Sequence, residues 1–257
     1  MEFIDSHSHI YLKDFQEDIV QVLDRCLDKK VEKILMPNID AESIEDMLKL
    51  EQQYPQICYS MMGVHPCSVD EKFEHQLSLA ESWLEKRKFV AIGETGIDLY
   101  WNDAFKAQQI ESLDVQIAWA KKYNIPIVLH CRNSFNETIK VIEGAQDGTL
   151  RGVFHCFTGT LEEAIRVTEA GFHLGLGGVV TFKNGGLDQV VPQLDLGDIL
   201  LETDSPYLAP VPYRGKRNES SYVTIIGQKV AEFMKVELEE IAKATHANAS
   251  KLFSLKE

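Results

Sequence analysis

The sequence has no apolar run long enough to span a bilayer. It also lacks the basic, apolar and small-residue succession of a secretory signal peptide at its start. These absences argue against a membrane-spanning or exported protein. We predict a cytoplasmic protein with an unprocessed amino terminus, no membrane attachment and no obligate protein partner.

Positive charge is scarce in this chain. Its 26 Lys and Arg residues stand against 40 Asp and Glu residues, which gives a formal net charge of −14. Proteins that capture duplex nucleic acid on a broad basic surface have the opposite balance. A phosphate-bearing substrate held by metal ions remains compatible with this charge, because bound dications add positive charge that the residue count omits.

Cysteines at redox or zinc-site spacing are missing as well. The five cysteines contain no C-x-x-C pair, so we predict reduced thiols in a reducing compartment. Cys131 and Cys156 each follow a histidine, and a role as metal ligands is the alternative. We favour thiols that face away from those histidines, because neighbouring side chains in a strand point to opposite faces.

A regular alternation of two kinds of segment fills the chain. Eight apolar, β-branched runs alternate with amphipathic helical stretches, and no linker or low-complexity tract divides the 257 residues. The apolar runs lack polar alternation, which is typical of parallel strands covered on both faces. We therefore predict one α/β domain over residues 1–257, a TIM-type (β/α)8 barrel. The predicted strands are 3–9, 31–39, 57–65, 89–94, 125–130, 152–158, 172–180 and 198–204, and the predicted helices are 15–30, 41–54, 74–88, 104–123, 135–145, 161–170, 186–194, 222–235 and 237–255.

Six ligand-type side chains stand at the ends of five of these predicted strands. In such barrels the carboxyl ends of the strands converge over the core and carry the chemistry. Imidazole nitrogens and carboxylate oxygens suit divalent ions such as Zn, Mn, Fe or Co. One histidine at a strand end is more often a hydrogen-bonded structural residue, but this many at one end indicate a metal centre. The six residues are His7, His9, Glu94, His130, His155 and Asp204.

Motifs along essentially the whole chain resemble those of the TatD family of metal-dependent deoxyribonucleases. They are FIDSHSHI, MMGVHP, AIGETGIDLYW, PIVLHCRNS, GVFHCFTG, LGGVVTF, LLETDSPYLAPVPYRGKRNE and NASKLF. The resemblance implies a TIM-type barrel of the metal-dependent hydrolase superfamily and a divalent-cation-dependent nuclease. Typical activity in the family is 3′→5′ exonucleolytic cleavage of single-stranded DNA, and some relatives are linked to removal of D-amino acids from tRNA.

Two divalent cations per chain are expected at this centre, although the sequence does not distinguish Mg, Mn and Zn. Such a pair can activate water and stabilise an in-line displacement at a phosphodiester. We predict that Glu94 and Asp204 are catalytic, with Asp204 as the general base. The assignment gives His7, His9 and Asp204 to one cation and His130 and His155 to the other, with Glu94 bridging the two.

Further side chains are predicted around this centre. Glu202 and Asp5 share strand parity with Asp204 and His7, and each could order a ligand histidine. Tyr100 and Trp101 could stack a base or pack under the rim. The predicted substrate-binding residues are His65, Arg132, Arg214, Lys216 and Arg217, for which a structural histidine, an ion pair or a solvated loop is the alternative.

Three functions compete on the sequence alone. A nuclease acting on single-stranded ends of nucleic acid is the first. A D-aminoacyl-tRNA deacylase or another hydrolase on the same barrel is the second, and a metal-binding protein without catalysis is the third. The complete ligand set favours a hydrolase that acts on ester bonds, but the sequence leaves open whether its substrate is DNA, RNA or aminoacyl-tRNA.

Overall fold

Strands and helices alternate along the chain in the computed structural model, which describes residues 1–101 and 103–255. The strands are β1 Phe3–Asp5, β2 Val31–Met36, β3 Cys58–Ser60, β4 Ile92–Asp98, β5 Ile127–Arg132, β6 Gly152–Phe154, β7 Phe172–Leu176 and β8 Ile199–Leu201. The α-helices are α1 Ile19–Asp28, α2 Ile44–Gln53, α3 Phe73–Lys86, α4 Lys106–Tyr123, α5 Phe135–Ala145, α6 Leu161–Glu169, α7 Leu187–Val190, α8 Val223–Met234 and α9 Leu238–Leu252.

All strand pairs are parallel and join strands that follow one another in the chain. β1 to β3 form one sheet and β4 to β8 form a second. Isolated parallel bridges, Met62 with Ile92 and Ser8 with Ser205, connect the sheets at both edges. Within the described residues these two junctions carry no continuous ladder. The predicted alternation of parallel strands and helices in an α/β TIM-type fold is confirmed.

The apolar character of the strands places them in the core. Ile34, Leu35 and Met36 of β2 are all completely buried, because one face of the strand packs inward and the other packs against helices. The inward-facing cluster combines Leu35 with residues from β1, β5, β6 and β8, and Leu252 and Phe253 at the end of α9 pack against it. None of the helices formed by the described residues combines the length and apolarity that a membrane crossing needs.

Several element boundaries differ from those predicted. β1 ends at Asp5, so His7 and His9 follow the strand instead of ending it. β4 starts later and ends later than predicted, so Glu94 lies inside the strand. The pairing register of β4 with β5 shifts between Ile92 and Thr95, and such an irregularity redirects a side chain. The predicted helix 186–194 is divided into α7 and the 3-10 turn Val191–Gln193, where Pro192 has no backbone N–H to continue an α-helix.

Candidate metal centre

The six predicted ligands converge around the carboxylate of Glu94. Its Oε2 atom lies 3.0 Å from Nε2 of His7 and 3.4 Å from Nε2 of His9. Its Oε1 atom lies 2.9 Å from Nδ1 of His130 and 2.9 Å from Nε2 of His155. The two oxygens of one carboxylate therefore face two different pairs of histidines. We call these six residues (His7, His9, Glu94, His130, His155 and Asp204) the floor of the site.

Asp204 completes the floor on the side of the first histidine pair. Its Oδ1 atom lies 3.8 Å from Nε2 of His7 and 3.7 Å from Nε2 of His9. The backbone N–H of Asp204 donates to the carbonyl of His7 at 2.9 Å, which joins the segment after β8 to the segment after β1. Neighbouring strand ends thus bring together residues that are almost 200 positions apart in the sequence.

The donor atoms of the floor fit divalent metal ions. The Nε2 atoms of His7 and His9 are only 3.3 Å apart, and His7 and Glu94 are buried. Lone pairs directed into one small space repel one another unless a proton or a cation lies between them, and nitrogen with carboxylate oxygen is a common ligand set for transition metals. At the floor, three sets of possible ligand atoms lie within 4.8 Å of one another: His7–His9–Glu94, His7–His155–Asp204 and His65–Glu94–His130.

Burial and charge set the protonation of the floor. Burial alone would raise the pKa of Glu94, but the surrounding histidines, His155 first among them, outweigh burial and hold that pKa well below its usual range. Burial lowers the pKa of His7 far below its usual value, and the charge of His155 adds to this effect. An ionised Glu94 and a neutral His7 are the forms that bind metal, because each then presents lone pairs.

His65 stands beside the floor but presents a different group. Its Nε2 atom lies 3.3 Å from Oε1 of Glu94 and 3.3 Å from Nδ1 of His130. Its Nδ1 atom accepts a hydrogen bond of 3.0 Å from the backbone N–H of Cys67. Because Nδ1 is an acceptor, the neutral ring carries its proton on Nε2. His65 therefore points an N–H donor into the site.

Asp98 is a site residue that the sequence analysis missed. Its Oδ2 atom lies 2.8 Å from Nε2 of His130. Burial would raise the pKa of Asp98, but the hydrogen bond to His130 outweighs it and lowers the pKa to about 2. A carboxylate on the second ring nitrogen is the usual support of a metal-binding histidine. The even spacing between Glu94 and Asp98 could have identified it, because this spacing places both side chains on one face of a strand. The predicted strand ends at Glu94, however, and so leaves Asp98 out.

Gly96 explains why these two carboxylates flank a glycine in the Glu-Thr-Gly-Ile-Asp motif. A Cβ atom at Gly96 would lie 2.0 Å from the carbonyl oxygen of His130, and its φ of +137° is one that L side chains rarely adopt. Glycine therefore allows β4 to approach β5 closely beside His130. This close approach lets Glu94 and Asp98 contact the two nitrogens of the same ring.

Glu202 lies where the sequence predicted, beneath a floor histidine. Its Oε1 atom is 3.4 Å from Nδ1 of His155 and accepts a hydrogen bond from the backbone N–H of Cys156. A Cβ atom at Gly175 would lie 2.3 Å from Oε2 of Glu202. The glycine-rich seventh strand supplies no ligand, but it makes the space that this buried carboxylate occupies.

Asp5 does not order a ligand ring, which corrects the expectation for this residue. Its Oδ2 atom accepts a 2.6 Å hydrogen bond from the hydroxyl of Thr203, and Oδ1 accepts one of 2.9 Å from the Thr203 backbone N–H. Its contact with His7 is to the backbone N–H, at 3.4 Å. The carboxylate therefore joins the backbone after β8 to that after β1, because β1 ends at Asp5 and the side chain turns towards β8.

A cavity of about 680 Å³ opens above the floor. Arg132 at the end of β5 lines it, together with Cys131 and Cys156. The thiol of Cys131 nevertheless accepts a 3.7 Å hydrogen bond from the hydroxyl of Ser134, the residue before α5, so it faces the helix as expected and not the floor. Cys156 follows β6 with a φ of +49°, so strand alternation does not apply to it. Neither thiol belongs to a donor set among the described residues.

The other predicted substrate cations are placed elsewhere. The guanidinium of Arg217 forms two hydrogen bonds with the carboxylate of Asp18, at 2.7 and 2.6 Å, so the expected phosphate contact is not supported. Arg214 lies over the ring of Phe182, with its Cζ atom 3.9 Å from the ring centroid. Arg214 and Lys216 are exposed and do not line the cavity. Arg217 holds this loop against the start of α1, which directs its cations away from the floor.

Comparison with known proteins places the chain in a family. The family model described as TatD related DNase matches residues 4–254. The chain is 35% identical over 252 residues to the uncharacterized metal-dependent hydrolase YabD of Bacillus subtilis, covering 98% of each. It is 33% identical over 247 residues to the 3′-5′ ssDNA/RNA exonuclease TatD of Pantoea ananatis, covering 94% of this chain and 95% of that protein.

A solved structure of a TatD homologue has the same fold as this chain. The crystal structure of YjjV, a TatD homologue from Escherichia coli, matches with a TM-score of 0.93 at 30% identity, covering 99% of this chain and 98% of that chain. The predicted resemblance and the α/β TIM-type fold are thereby confirmed. The chain belongs to the TatD-related DNase family of metal-dependent hydrolases.

Proposed function

We propose that this protein is a metal-dependent nuclease that hydrolyses phosphodiester bonds, and that it acts as a 3′→5′ exonuclease on single-stranded DNA. The observation that carries the proposal is the position of Glu94. One carboxylate whose two oxygens face separate histidine pairs is the arrangement expected between two cations. Dinuclear sites of this kind serve in-line displacement at phosphorus.

The proposed site holds two divalent cations per chain. His7, His9 and Asp204 would bind one, His130 and His155 would bind the other, and Glu94 would lie between them. When bound there, the cations would neutralise charge on the phosphodiester and favour ionisation of water. Mg, Mn and Zn are all compatible with these donors.

Side chains of the protein then account for the transfer of the proton and for the orientation of the phosphate. Asp204 accepts the proton of the attacking water as the water oxygen bonds to phosphorus. The bond from phosphorus to the 3′ oxygen breaks, and that oxygen takes up a proton from solvent. Burial raises the pKa of Asp204 to about 6 when no cation is bound. The N–H of His65 and the guanidinium of Arg132 donate to phosphate oxygens.

Two features support the choice of substrate. The cavity of about 680 Å³ has the size of a small-ligand site, which suits one end of a strand better than a long duplex. The similar protein from Pantoea ananatis is named a 3′-5′ ssDNA/RNA exonuclease.

All five cysteines of the chain are unpaired, which fits the proposed reducing location in the cytoplasm.

Cleavage of labelled oligonucleotides tests this function. We would offer 5′-labelled single-stranded and blunt duplex DNA, single-stranded RNA and D-aminoacyl-tRNA to the purified protein, before and after chelation and with Mg²⁺, Mn²⁺ or Zn²⁺ restored. We expect products shortened stepwise from the 3′ end of single-stranded DNA, loss on chelation and recovery with metal. Glu94→Gln should abolish cleavage, while Glu45→Gln on exposed α2 is the matched control.

Different outcomes exclude different functions. Release of the D-amino acid without cleavage of DNA would contradict the nuclease and support the deacylase. Metal binding without turnover of any of these substrates would contradict both and support a non-catalytic metal protein. Internal fragments in place of a ladder from the 3′ end would retain the nuclease but contradict the exonuclease.

A further inference from the structure

Three large apolar side chains at the opening of the cavity have no role in the proposed chemistry. Trp101 exposes 70% of its surface, Tyr207 52% and Leu208 40%, and all three line the cavity above the floor. We call them the mouth wall. Exposed apolar groups at the opening of a polar site usually mark a binding surface. The part of a substrate that they fit is planar and apolar, unlike a phosphate.

Tyr100 and Trp101 are neighbours in the chain, but their ring faces differ in what they contact. The guanidinium carbon of Arg132 lies 3.7 Å from the centroid of the Tyr100 ring and 5.6 Å from that of Trp101. The two rings meet edge to face, with centroids 5.0 Å apart. Arg132 thus covers a face of Tyr100, whereas most of Trp101 remains open. Tyr100 therefore positions the arginine, and Trp101 offers a stacking surface.

Arg132 is the one lysine or arginine among the described residues that line the cavity. Its side chain makes no hydrogen bond or ion pair with the part of the chain that the structure describes. A guanidinium that is held by its face against an aromatic ring keeps its N–H edge available, and that edge matches two oxygens of a phosphate. One phosphate contact and one stacking surface thus adjoin the floor at the same opening.

Resting on the proposed nuclease function, we propose that the mouth wall is the subsite for the base of the terminal nucleotide. The base stacks on the open ring of Trp101, and its 5′ phosphate, which is the scissile phosphodiester, lies over the floor with Arg132 donating to its oxygens. A base inside a duplex already stacks on both faces, so this subsite takes an unpaired nucleotide. Stacking tolerates every base, because each has an aromatic face, so one nucleotide at a time enters without sequence preference.

Intrinsic fluorescence tests the stacking directly and without turnover. The chain has three tryptophans; Trp119 is buried and Trp83 is half-buried on α3. We would titrate Mg²⁺-loaded protein with dAMP and with dTMP, and use 2-deoxyribose 5-phosphate as the probe that lacks a base. Both nucleotides should quench emission to saturation and the base-free probe should not. Trp101→Phe should remove the quenching, whereas Trp83→Phe should retain it.

Kinetics separate stacking from a structural role of the tryptophan. Trp101→Ala should raise KM for a single-stranded oligonucleotide by about 5- to 150-fold, the range measured for loss of one stacked base, and Trp101→Phe should restore most of the affinity. An oligonucleotide with an abasic 3′-terminal residue should show a similarly raised KM with the wild-type protein. Trp101→Ala should then add nothing further, because the interaction is already absent.

Two results would overturn the subsite. One is equal quenching by the base-free probe, and the other is an equal penalty from Trp101→Ala on normal and abasic ends. The titration does not depend on cleavage. Failure to cleave any oligonucleotide in any metal would therefore contradict the proposed function, while the quenching result decides the subsite separately.

Discussion

The floor and the mouth of the cavity are held in different ways. On the floor, Glu94 contacts histidines that follow or belong to three strands, and Asp98 and Glu202 hold two of the rings from behind. At the mouth, Trp101 and Leu208 lie on exposed loops, and Arg132 is held by a local contact with Tyr100. Positions on the floor are determined by many residues together. At the mouth, each position depends on one or two neighbours.

This difference predicts how substitutions act. A floor residue supports several others, so its loss should disturb metal binding and turnover together. A mouth residue acts on its own, so its loss should change affinity for substrate and leave the metals in place. Each of the following substitutions tests that division.

Glu94→Gln should have the largest effect. The amide keeps the shape of the side chain but removes the charge that faces both histidine pairs. We expect cleavage to fall to background with the fold retained, as measured by oligonucleotide assay and circular dichroism. Turnover within tenfold of the wild type would show that the carboxylate does not link the two groups of ligands.

Asp204→Asn should rank second. The amide can still lie beside His7 and His9, but it no longer accepts a proton. We expect kcat to fall roughly 10²–10⁴-fold, the usual range for removal of a general base, with KM little changed. Asp46→Asn on exposed α2 is the control. If kcat remains normal, the base is another group, and Glu202 is the next residue to test.

Asp98→Asn should affect one of the two cations. Asp98 contacts only His130 within the floor, so the cation on the His7 and His9 side should keep its affinity. Loss of a carboxylate behind a ligand histidine costs about 10–100-fold in metal affinity. Competition with a fluorescent chelator would measure both affinities. Equal weakening of both cations would contradict the separation of the two halves of the floor.

Arg132→Ala should weaken substrate binding while metal content stays normal. We expect KM for single-stranded DNA to rise about tenfold, in line with a lost hydrogen bond from a charged group. The slope of log K against log salt should also become shallower by about 0.7, the contribution of one phosphate contact to a single strand. Changing Arg214 and Lys216 together to alanine should leave the slope unchanged, because neither lines the cavity.

Arg217→Ala should have the smallest effect on catalysis. In contrast to Arg132→Ala, it should lower the stability of the fold and leave substrate binding nearly unchanged. This guanidinium pairs with Asp18 at the surface, where such a pair stabilises by up to about 1 kcal/mol. We expect KM and kcat within twofold of wild type and a melting temperature lower by about 2 °C. A KM effect as large as that of Arg132→Ala would mean that the loop turns towards the substrate.

The floor could be read from the sequence because strand ends in this fold share one end of the barrel. The positions of His130 and His155 followed from that rule and from the apolar runs before them. Asp98 was missed because β4 continues to Asp98, beyond the apolar run that predicts the strand. Asp5 was misjudged because parity alone does not show that its carboxylate turns to Thr203.

The side chains at the opening of the cavity could not be predicted from the sequence in the same way. Arg132 and Arg217 carry the same charge and each follows a predicted strand, yet one lines the cavity and the other pairs with Asp18. What separates them is the path of two loops and the neighbours that each guanidinium meets. Such contacts join residues as distant as Asp18 and Arg217, and no local pattern in the sequence records them.

If Glu94 joins two cation sites, the number of metal ions bound per chain must depend on its carboxylate. We would dialyse wild type, Glu94→Gln and the control Glu45→Gln against Zn²⁺ or Mn²⁺ and measure metal per chain by mass spectrometry. We expect two ions per chain in the wild type and the control, and at most one, weakly held, in Glu94→Gln. Two tightly bound ions in Glu94→Gln, or one ion in the wild type at saturation, would contradict it.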